Sequence, residues 1–177
     1  ALVEYVDIVP TFVDIIGGKP QAKVDGESFK PVLTGKKKAH KEYSFSLQTT
    51  RGINAGSPYY GIRSVYDGRY RYIVNLTPEA TFQNVETKSP LFKKWKSLAE
   101  TDSHAKAMTI KYQHRPAIEL YDVKNDPYCM KNLAEDAKQA STISRLDKEL
   151  KRWMKDCGDE GQPTEMRAFE HMPGKRK

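Results

Sequence analysis

The chain has 177 residues, enough for one domain of ordinary size or two small ones. A domain of this length buries roughly 70% of the surface that its unfolded chain exposes. Two cysteines exclude a disulfide-rich scaffold and a four-cysteine zinc site, and no apolar run reaches the roughly 18 residues typical of a membrane span. The net charge is +7, and residues 36–117 carry 15 basic and 6 acidic groups, a local excess of +9. This excess predicts a basic surface facing nucleic acid, an anionic polysaccharide or only solvent.

The N-terminal residues predict a short buried strand at 2–6, followed by a helix. Asp7 can cap the first free N–H groups of that helix, Pro10 is tolerated in its first turn, and Gly17 suits a left-handed end. Apolar side chains cover nearly the whole circumference of the helix, so we expect both of its faces to be buried. The rest of the chain offers few partners for them, which predicts a fragment of a larger protein.

Alternation and turn residues predict three strands in the next part of the chain. Residues 42–49 alternate between apolar and polar side chains, which is typical of a half-buried strand. A loop rich in Gly, Asn, Ser and Pro follows at residues 50–60. Residues 62–74 then predict a β-hairpin, because an Asp-Gly pair at their centre is a strong hairpin turn signal.

The second half of the chain predicts more helix. Residues 78–117 form an insertion in which apolar residues recur at helical spacing, with a second helix at about 103–112. Residues 118–123 predict another strand, and a final helix at 142–157 has an apolar stripe on one side. The predicted fold is therefore α+β: a four-stranded antiparallel sheet with the C-terminal helix packed on one face. From Gly158 onward, the loss of periodicity predicts a flexible or surface-laid tail.

The residues alone show no catalytic constellation. The four histidines are scattered, and Cys129 and Cys157 form no Cys-x-x-Cys motif, which leaves an idle thiol or a disulfide between them open. Asn75 begins a glycosylation sequon that we discount, because Pro78 follows and a strand ends at Asn75. The Arg and Tyr residues at 69–72 could grip nucleic acid, but the alternation of a two-sided hairpin explains them better.

The order of four segments resembles the C-terminal third of a type I, formylglycine-dependent sulfatase. These segments are Val6 to Gly17, Asp25 to Gly35, Ile62 to Ile73 and Glu119 to Ala134. One departure is Cys129, where the family usually carries Glu, a change that bears on local stability rather than chemistry. The segments at 72–76 and 89–92, with the second insertion helix, are similar to the sulfamidase branch, the N-sulfoglucosamine sulfohydrolases or heparan N-sulfatases.

The resemblance implies a division of the chain into three parts. Residues 1–50 would be the last helices and strand of an α/β, alkaline-phosphatase-like catalytic domain. Residues 51–160 would form the C-terminal antiparallel-sheet subdomain, with its helical insertion at 78–117. Residues 161–177 would be a tail.

The resemblance also implies an activity that this chain cannot perform alone. Sulfatases of this kind hydrolyse the sulfate groups of sulfated glycans, here the N-sulfate of glucosamine in heparan sulfate. They use calcium and a formylglycine made within a Cys/Ser-x-Pro-x-Arg motif, which is absent from this sequence. We therefore expect no catalytic residue and no metal ligand here, and an inactive chain without its N-terminal sulfatase domain. The family works outside the cytoplasm, in the periplasm or lysosome, and neither nucleic acid nor a membrane is an expected partner.

The resemblance implies that this chain contributes contacts to the substrate. A loop after the strand at 42–49 would approach the mouth of the active site. There, Arg51 could bind a sulfate or carboxylate through its planar fork. The other candidate substrate-binding residues are Gln48, Thr50, Asn54, His114 and Arg115.

A non-catalytic basic module that binds an anionic polysaccharide or nucleic acid is the alternative. The N-terminal helix discriminates between the two hypotheses. Exposure of Phe12, Ile15 and Ile16 would indicate a missing partner domain, whereas a fully buried helix would favour the module.

Overall fold

A four-stranded antiparallel sheet organises the molecule, with strand order β1-β2-β3-β4. The computed structural model describes residues 1–19, 24–49 and 59–171. The strands are β1 (Ser44–Gln48), β2 (Ile62–Tyr66), β3 (Tyr70–Asn75) and β4 (Ile118–Asp122). The α+β fold predicted from the sequence is confirmed.

Helices precede, interrupt and follow the sheet. The α-helices of the described residues are α1 (Ile8–Ile15), α2 (Lys30–Leu33), α3 (Pro90–Leu98), α4 (Ser103–Gln113), α5 (Ala140–Asp156) and α6 (Gln162–Met166). Short 3₁₀ helices lie at Tyr5–Asp7, Glu86–Lys88, Ala137–Gln139 and Ala168–His171.

Helix α5 covers one face of the sheet. The register places Val65, Tyr72 and Leu120 side by side on this face, because residues two apart in a strand share a face. They pack against Leu146 and Leu150 of α5, and all five side chains are buried. The predicted C-terminal helix and its apolar stripe are therefore confirmed.

The insertion between β3 and β4 contributes to a second core. Tyr60, Ile62 and Phe82 are buried together there, with Ile73 and Tyr112 packed against them. Tyr112 belongs to α4, so the insertion helix packs against residues of the sheet itself. Both predicted insertion helices are present as α3 and α4.

Strand β1 belongs to this sheet. We expected it to end the preceding catalytic domain, but Phe45 lies opposite Val65 and Gln48 lies opposite Ile62 of β2. Alternation identifies a strand without identifying the strand it pairs with, so the sequence could not reveal this pairing. The division of the chain at residue 50 stays a prediction.

The N-terminal residues differ from the sequence prediction. Leu2 forms only an isolated bridge with Lys41, and residues 5–7 are a 3₁₀ helix rather than a strand. Asp7 precedes α1 but does not cap it, because its carboxylate accepts hydrogen bonds from the N–H groups of Glu4 and Glu27 instead.

Helix α1 is buried on one side only. Pro10 and Thr11 are buried, whereas several large apolar side chains of this region are exposed, so our expectation of two buried faces is wrong for the described chain. The exposed residues are Val9, Phe12, Ile15 and Ile16. Their exposure is the outcome that favours a partner surface over a self-contained module.

The C-terminal segment is anchored, not a loose tail, as far as residue 167. Gln162–Met166 forms α6, and Glu165 within it is only 2% exposed. Charged contacts hold this segment, and hydrophobic periodicity does not detect them. Residues 172–177 lie outside the described chain.

The smaller sequence-based alternatives are also resolved. Cys129 and Cys157 are free thiols. The side-chain amide of Asn75 is buried and donates to Glu119 Oε1 at 2.7 Å, which supports rejecting the sequon. In the hairpin, Arg69 pairs with Asp122 at 2.8 Å, as expected for an ordinary sheet residue.

Gly26 marks the tightest backbone approach in this region, and replacing it by alanine tests the packing. A Cβ atom there would collide with the carbonyl oxygen of Val6. We expect Gly26→Ala to lower the free energy of unfolding by about 1–3 kcal/mol, as overpacking typically does. Gly18→Ala is the control, because its Cβ would meet a Val13 methyl at 3.2 Å and the Val13 carbonyl oxygen at 3.4 Å, much looser contacts than the 2.0 Å at Gly26. Equal urea midpoints for the two variants would contradict this packing.

Candidate functional site

Strand register brings the described candidate residues to one end of the sheet. Gln48 ends β1 opposite Ile62, Ile62 lies opposite Asn75, and the Asn75 N–H donates to the Ala117 carbonyl at 2.9 Å. We call this the Gln48 end of the sheet. The end of β1 and the start of β4 are three strand spacings apart, about 14 Å. A sugar ring or a short oligosaccharide fits across such a span.

The predicted binding loop leaves from this end. Arg51, Thr50 and Asn54 lie outside the described residues. Gln48 is half-buried, and its carbonyl accepts a hydrogen bond from Arg63 Nη1 at 3.3 Å. Its role in binding stays a prediction.

His114 and Arg115 lie at the same end, between α4 and β4. His114 is exposed and follows the last residue of α4. The Arg115 guanidinium carbon lies 5.4 Å from the centre of the Phe82 ring, and its Nη1 is 4.0 Å from Glu119 Oε1. Its buried Nε atom has no hydrogen-bond partner in the described chain. Arg115 is thus held by stacking while part of its donor capacity is unused.

Arg63 is the central charged residue of this end, and it is only 2% exposed. Its Nε and Nη2 atoms donate to the Asp159 carboxylate, and Nη2 lies 3.0 Å from Glu165 Oε1. Its Nη1 donates to the carbonyls of Gln48 and Ile62 at 3.3 and 3.0 Å. Every N–H of the guanidinium therefore has an acceptor. We call Arg63, Asp159 and Glu165 the Arg63 network.

The Arg63 network joins the C-terminal segment to the end of β1. Glu165 Oε2 accepts a hydrogen bond from Thr49 Oγ1 at 2.7 Å. Thr49 follows Gln48 and comes directly before the predicted binding loop. Burial works against ionisation of Asp159, but the hydrogen bonds from Arg63 and from the Gly161 N–H outweigh it and lower the pKa of that carboxyl.

Sequence reasoning missed this network, although one signal was available. Arg63 occupies the same alternation phase as Val65, which faces the core. A charged side chain on a buried face needs an opposite charge. No local pattern indicates that residues 159 and 165 supply it.

Buried polar atoms without a hydrogen-bond partner in the described chain collect near the Gln48 end. They are Asn75 Oδ1, Thr77 Oγ1, Arg115 Nε and Gln162 Oε1. Buried polar groups are usually hydrogen-bonded. Their concentration beside the predicted binding loop indicates that further groups, from protein, water or ligand, complete this end.

A second polar cluster fastens the N-terminal segment. The fully buried carboxylate of Asp7 accepts from the N–H groups of Glu4 and Glu27 at 2.8 and 3.0 Å. Lys41 Nζ lies 2.8 Å from it and His40 Nε2 lies 3.3 Å away. Burial opposes ionisation, but the bonds from Lys41 and the two N–H groups prevail and lower the pKa of Asp7. This cluster is structural, since the carboxylate is enclosed by its partners.

Metal clusters and membrane-spanning helices are both absent from the described part of the chain. There, no group of three or more His, Cys, Asp and Glu side chains is arranged to hold a metal ion. No helix of that part has both the length and the hydropathy required to cross a bilayer.

Glu165 tests the stability that the Arg63 network provides. Glu165→Ala leaves a buried guanidinium short of one partner, so we expect a loss of about 3 kcal/mol in the free energy of unfolding. Glu160→Ala is the matched control, because Glu160 pairs with Arg167 at an exposed site, where such pairs contribute less than about 1 kcal/mol. Urea unfolding followed by circular dichroism measures both. A loss as small in Glu165→Ala as in the control would refute the role of the network.

Asp159 gives the network a pH dependence. Because its pKa is lower in the folded state, its stabilising effect is complete above the unfolded pKa of about 3.9 and is lost as pH falls through the folded value. We therefore expect the unfolding midpoint of the wild type to drop as the pH falls below about 4. Asp159→Asn should be less stable at neutral pH and should lose less on acidification. Parallel curves for the two proteins would contradict this.

The chain is similar to sulfatases in sequence. No protein-family model matches it. Two curated relatives are both named ulvan-active sulfatase and come from Formosa agariphila. One is 34% identical over 158 residues, which is 89% of this chain and 30% of that protein. The other is 32% identical over 168 residues, which is 93% of this chain and 27% of that protein. The chain thus spans less than a third of either relative.

Solved structures share the fold. A 2-O GAG sulfatase has 24% identity and a TM-score of 0.57, and the match covers 87% of this chain and 25% of that one. A protein solved with its substrate D-glucosamine-2-N,6-O-disulfate has 17% identity and a TM-score of 0.58, covering 88% of this chain and 25% of that one. At these identities the likeness shows the fold alone. The homologues of this chain are sulfatases, which supports its interpretation as the C-terminal part of one.

Proposed function

We propose that this chain is part of a sulfatase that hydrolyses sulfate groups of sulfated glycans. The observation that carries the proposal is 34% identity to an ulvan-active sulfatase over 89% of the chain. Because the chain spans 30% of that relative, the activity is proposed for the whole protein. The local excess of +9 at residues 36–117 suits a polyanionic substrate.

The N-sulfate of glucosamine in heparan sulfate is the substrate we propose first. It rests on the sulfamidase-like segments of the insertion. A fold relative takes D-glucosamine-2-N,6-O-disulfate as its substrate, which is compatible with this choice. Ulvan is the second candidate, because both curated relatives are described as ulvan-active.

The Gln48 end of the sheet would contribute to substrate binding. Arg115 is the described residue best suited to an anionic group, since its guanidinium is held against Phe82 while its side chain is still 28% exposed. The further candidates are Gln48, Thr50, Arg51, Asn54 and His114. The Arg63 network would hold in place the strand end from which the loop starts.

The nucleophile and the metal would come from the rest of the protein. We propose that formylglycine and calcium lie in the part that this chain does not include, and that the chain has no sulfatase activity by itself. The exposed face of α1, with Val9, Phe12 and Ile16, would contact that part. The whole protein would work outside the cytoplasm, with a sulfated glycosaminoglycan and neither nucleic acid nor a membrane as its partner.

The test is sulfate release by the full-length protein that contains this chain. After mass spectrometry verifies formylglycine, N-sulfated heparin oligosaccharides and ulvan oligosaccharides are compared as substrates, with the 177-residue chain assayed beside it. We expect release from the heparin fragments by the full-length protein and none by the chain. Release of sulfate from ulvan alone would reject heparan sulfate and favour ulvan as the substrate. No release from either glycan would reject the proposed function.

Arg115→Ala in the full-length protein tests the binding role. Loss of a charge-assisted contact to sulfate should raise KM by about tenfold, corresponding to 1.4 kcal/mol, with kcat within about twofold because the chemistry lies elsewhere. Arg152→Ala is the control, since Arg152 is exposed on α5 and pairs with Glu149 and Asp156. An unchanged KM in Arg115→Ala would remove this residue from the binding site.

A further inference from the structure

A pocket lies between the two helices of the insertion. It is lined by residues of α3, α4 and the turn between them and has a volume of about 330 Å³. The lining residues are Trp95, Leu98, Asp102, His104, Ala105 and Met108. Trp95 is 43% exposed and Leu98 is 47% exposed. A partly exposed indole thus borders a pocket that also has polar groups.

The helical pair that forms the pocket is strongly basic. Residues 88–111 contain six lysines and two acidic residues, a net charge of +4. Lys93, Lys94 and Lys96 on α3 are all exposed. Lys94 precedes Leu98 by four residues, one helical turn, so its side chain lies beside Leu98 and flanks the pocket without lining it.

We propose that this pocket binds one sugar unit of a sulfated glycan, with Lys94 pairing with its sulfate. The indole of Trp95 offers a flat apolar surface for the C–H face of a pyranose ring. Asp102 and His104 offer acceptor and donor groups for hydroxyls. The proposal rests on the proposed function for the kind of glycan, and it adds a binding site and the residues that form it.

The charge of the pair favours a glycan over a protein partner. Protein interfaces are depleted in lysine, because burying the ammonium group costs its hydration. A polyanionic chain instead leaves lysines near the surface and gains their attraction. Asp102 is held at the pocket rim, because its Oδ1 accepts a hydrogen bond from the Ala105 N–H at 2.6 Å.

Aromatic packing connects the pocket helices to the Gln48 end of the sheet. Phe92 of α3 contacts Tyr112 of α4 with ring centres 5.4 Å apart, and Tyr112 contacts Phe82 at 5.8 Å. Phe82 in turn lies under Arg115. The insertion also leaves the sheet at Asn75 and re-enters it at β4, both at this end. A glycan chain held there can continue over α3 and α4.

Tryptophan fluorescence of the chain measures the binding directly. The sequence has two tryptophans, and Trp153→Phe keeps an aromatic ring against Phe45 while leaving Trp95 as the sole reporter. This variant is titrated with a heparin-derived tetrasaccharide, and its folding is checked by circular dichroism. We expect a saturable change in the emission of Trp95 and protection of its fluorescence from quenching by acrylamide. The response should weaken with added salt, because exposed charges are screened.

Substitutions then assign the response to the pocket. Trp95→Ala and Lys94→Glu should each weaken tetrasaccharide binding by about tenfold, measured by calorimetry. Lys148→Glu, which changes the same charge on the exposed side of α5, should leave it within about twofold. Tighter tetrasaccharide binding by Trp95→Phe than by Trp95→Ala would support stacking of the sugar on the aromatic ring at this position.

Three results would overturn the proposal. They are no change in Trp95 emission, an equal response to a desulfated tetrasaccharide, or equal weakening by Lys148→Glu and Lys94→Glu. Strong hydrogen-exchange protection of α3 and α4 in the full-length protein without glycan would assign the patch to a protein contact. Because binding is measured without hydrolysis, absence of sulfatase activity would reject the proposed function and leave this site standing.

Discussion

Burial of Arg63 is the constraint on which the arrangement of this chain depends. A guanidinium on the core side of a central strand carries a large desolvation cost unless charged partners enclose it. Asp159 and Glu165 meet this requirement from a segment almost a hundred residues later. The end of α5 and helix α6 must therefore return to β2. The same contacts reach the carbonyl of Gln48 and the hydroxyl of Thr49, so one cation fixes three separate parts of the chain at one end of the sheet.

The two ends of the sheet differ in how completely their polar groups are paired within the described chain. At the hairpin end, Asp67 accepts a hydrogen bond from the Tyr70 N–H and forms an ion pair with Arg145 of α5. These polar groups are therefore paired with one another. At the Gln48 end, the described residues leave several buried polar atoms without a partner. Arg115 there is oriented by a ring and not by a close carboxylate. This unused hydrogen-bonding capacity is the observation on which the proposed binding role of the Gln48 end rests.

Local patterns in the sequence predicted most of the fold, because its core follows periodicity. The hairpin at 62–74, the strand at 118–123 and the apolar stripe of the final helix were predicted, and these elements form the core of Val65, Tyr72, Leu120, Leu146 and Leu150. Pairings between distant residues could not be predicted in this way. The partner strand of β1, the carboxylates around Arg63 and the donors around Asp7 depend on three-dimensional proximity. Of the candidate site, the sequence singled out His114 and Arg115, whose binding role stays a prediction, and it contained no sign of the role of Glu165.

Helix α1 is firmly anchored on one side and exposed on the other. The Asp7 cluster and the bonds of Ser28 and Lys30 to Asp14 fasten one side of it firmly. The opposite side exposes Phe12 and Ile16, and removing such side chains from water is worth roughly 25 cal/mol per Å². These polar contacts hold the helix with its apolar residues facing outward. In the isolated chain, exposure of those residues to water is unfavourable. The same orientation becomes favourable when another surface covers those residues, and the relatives are more than three times as long as the part this chain matches.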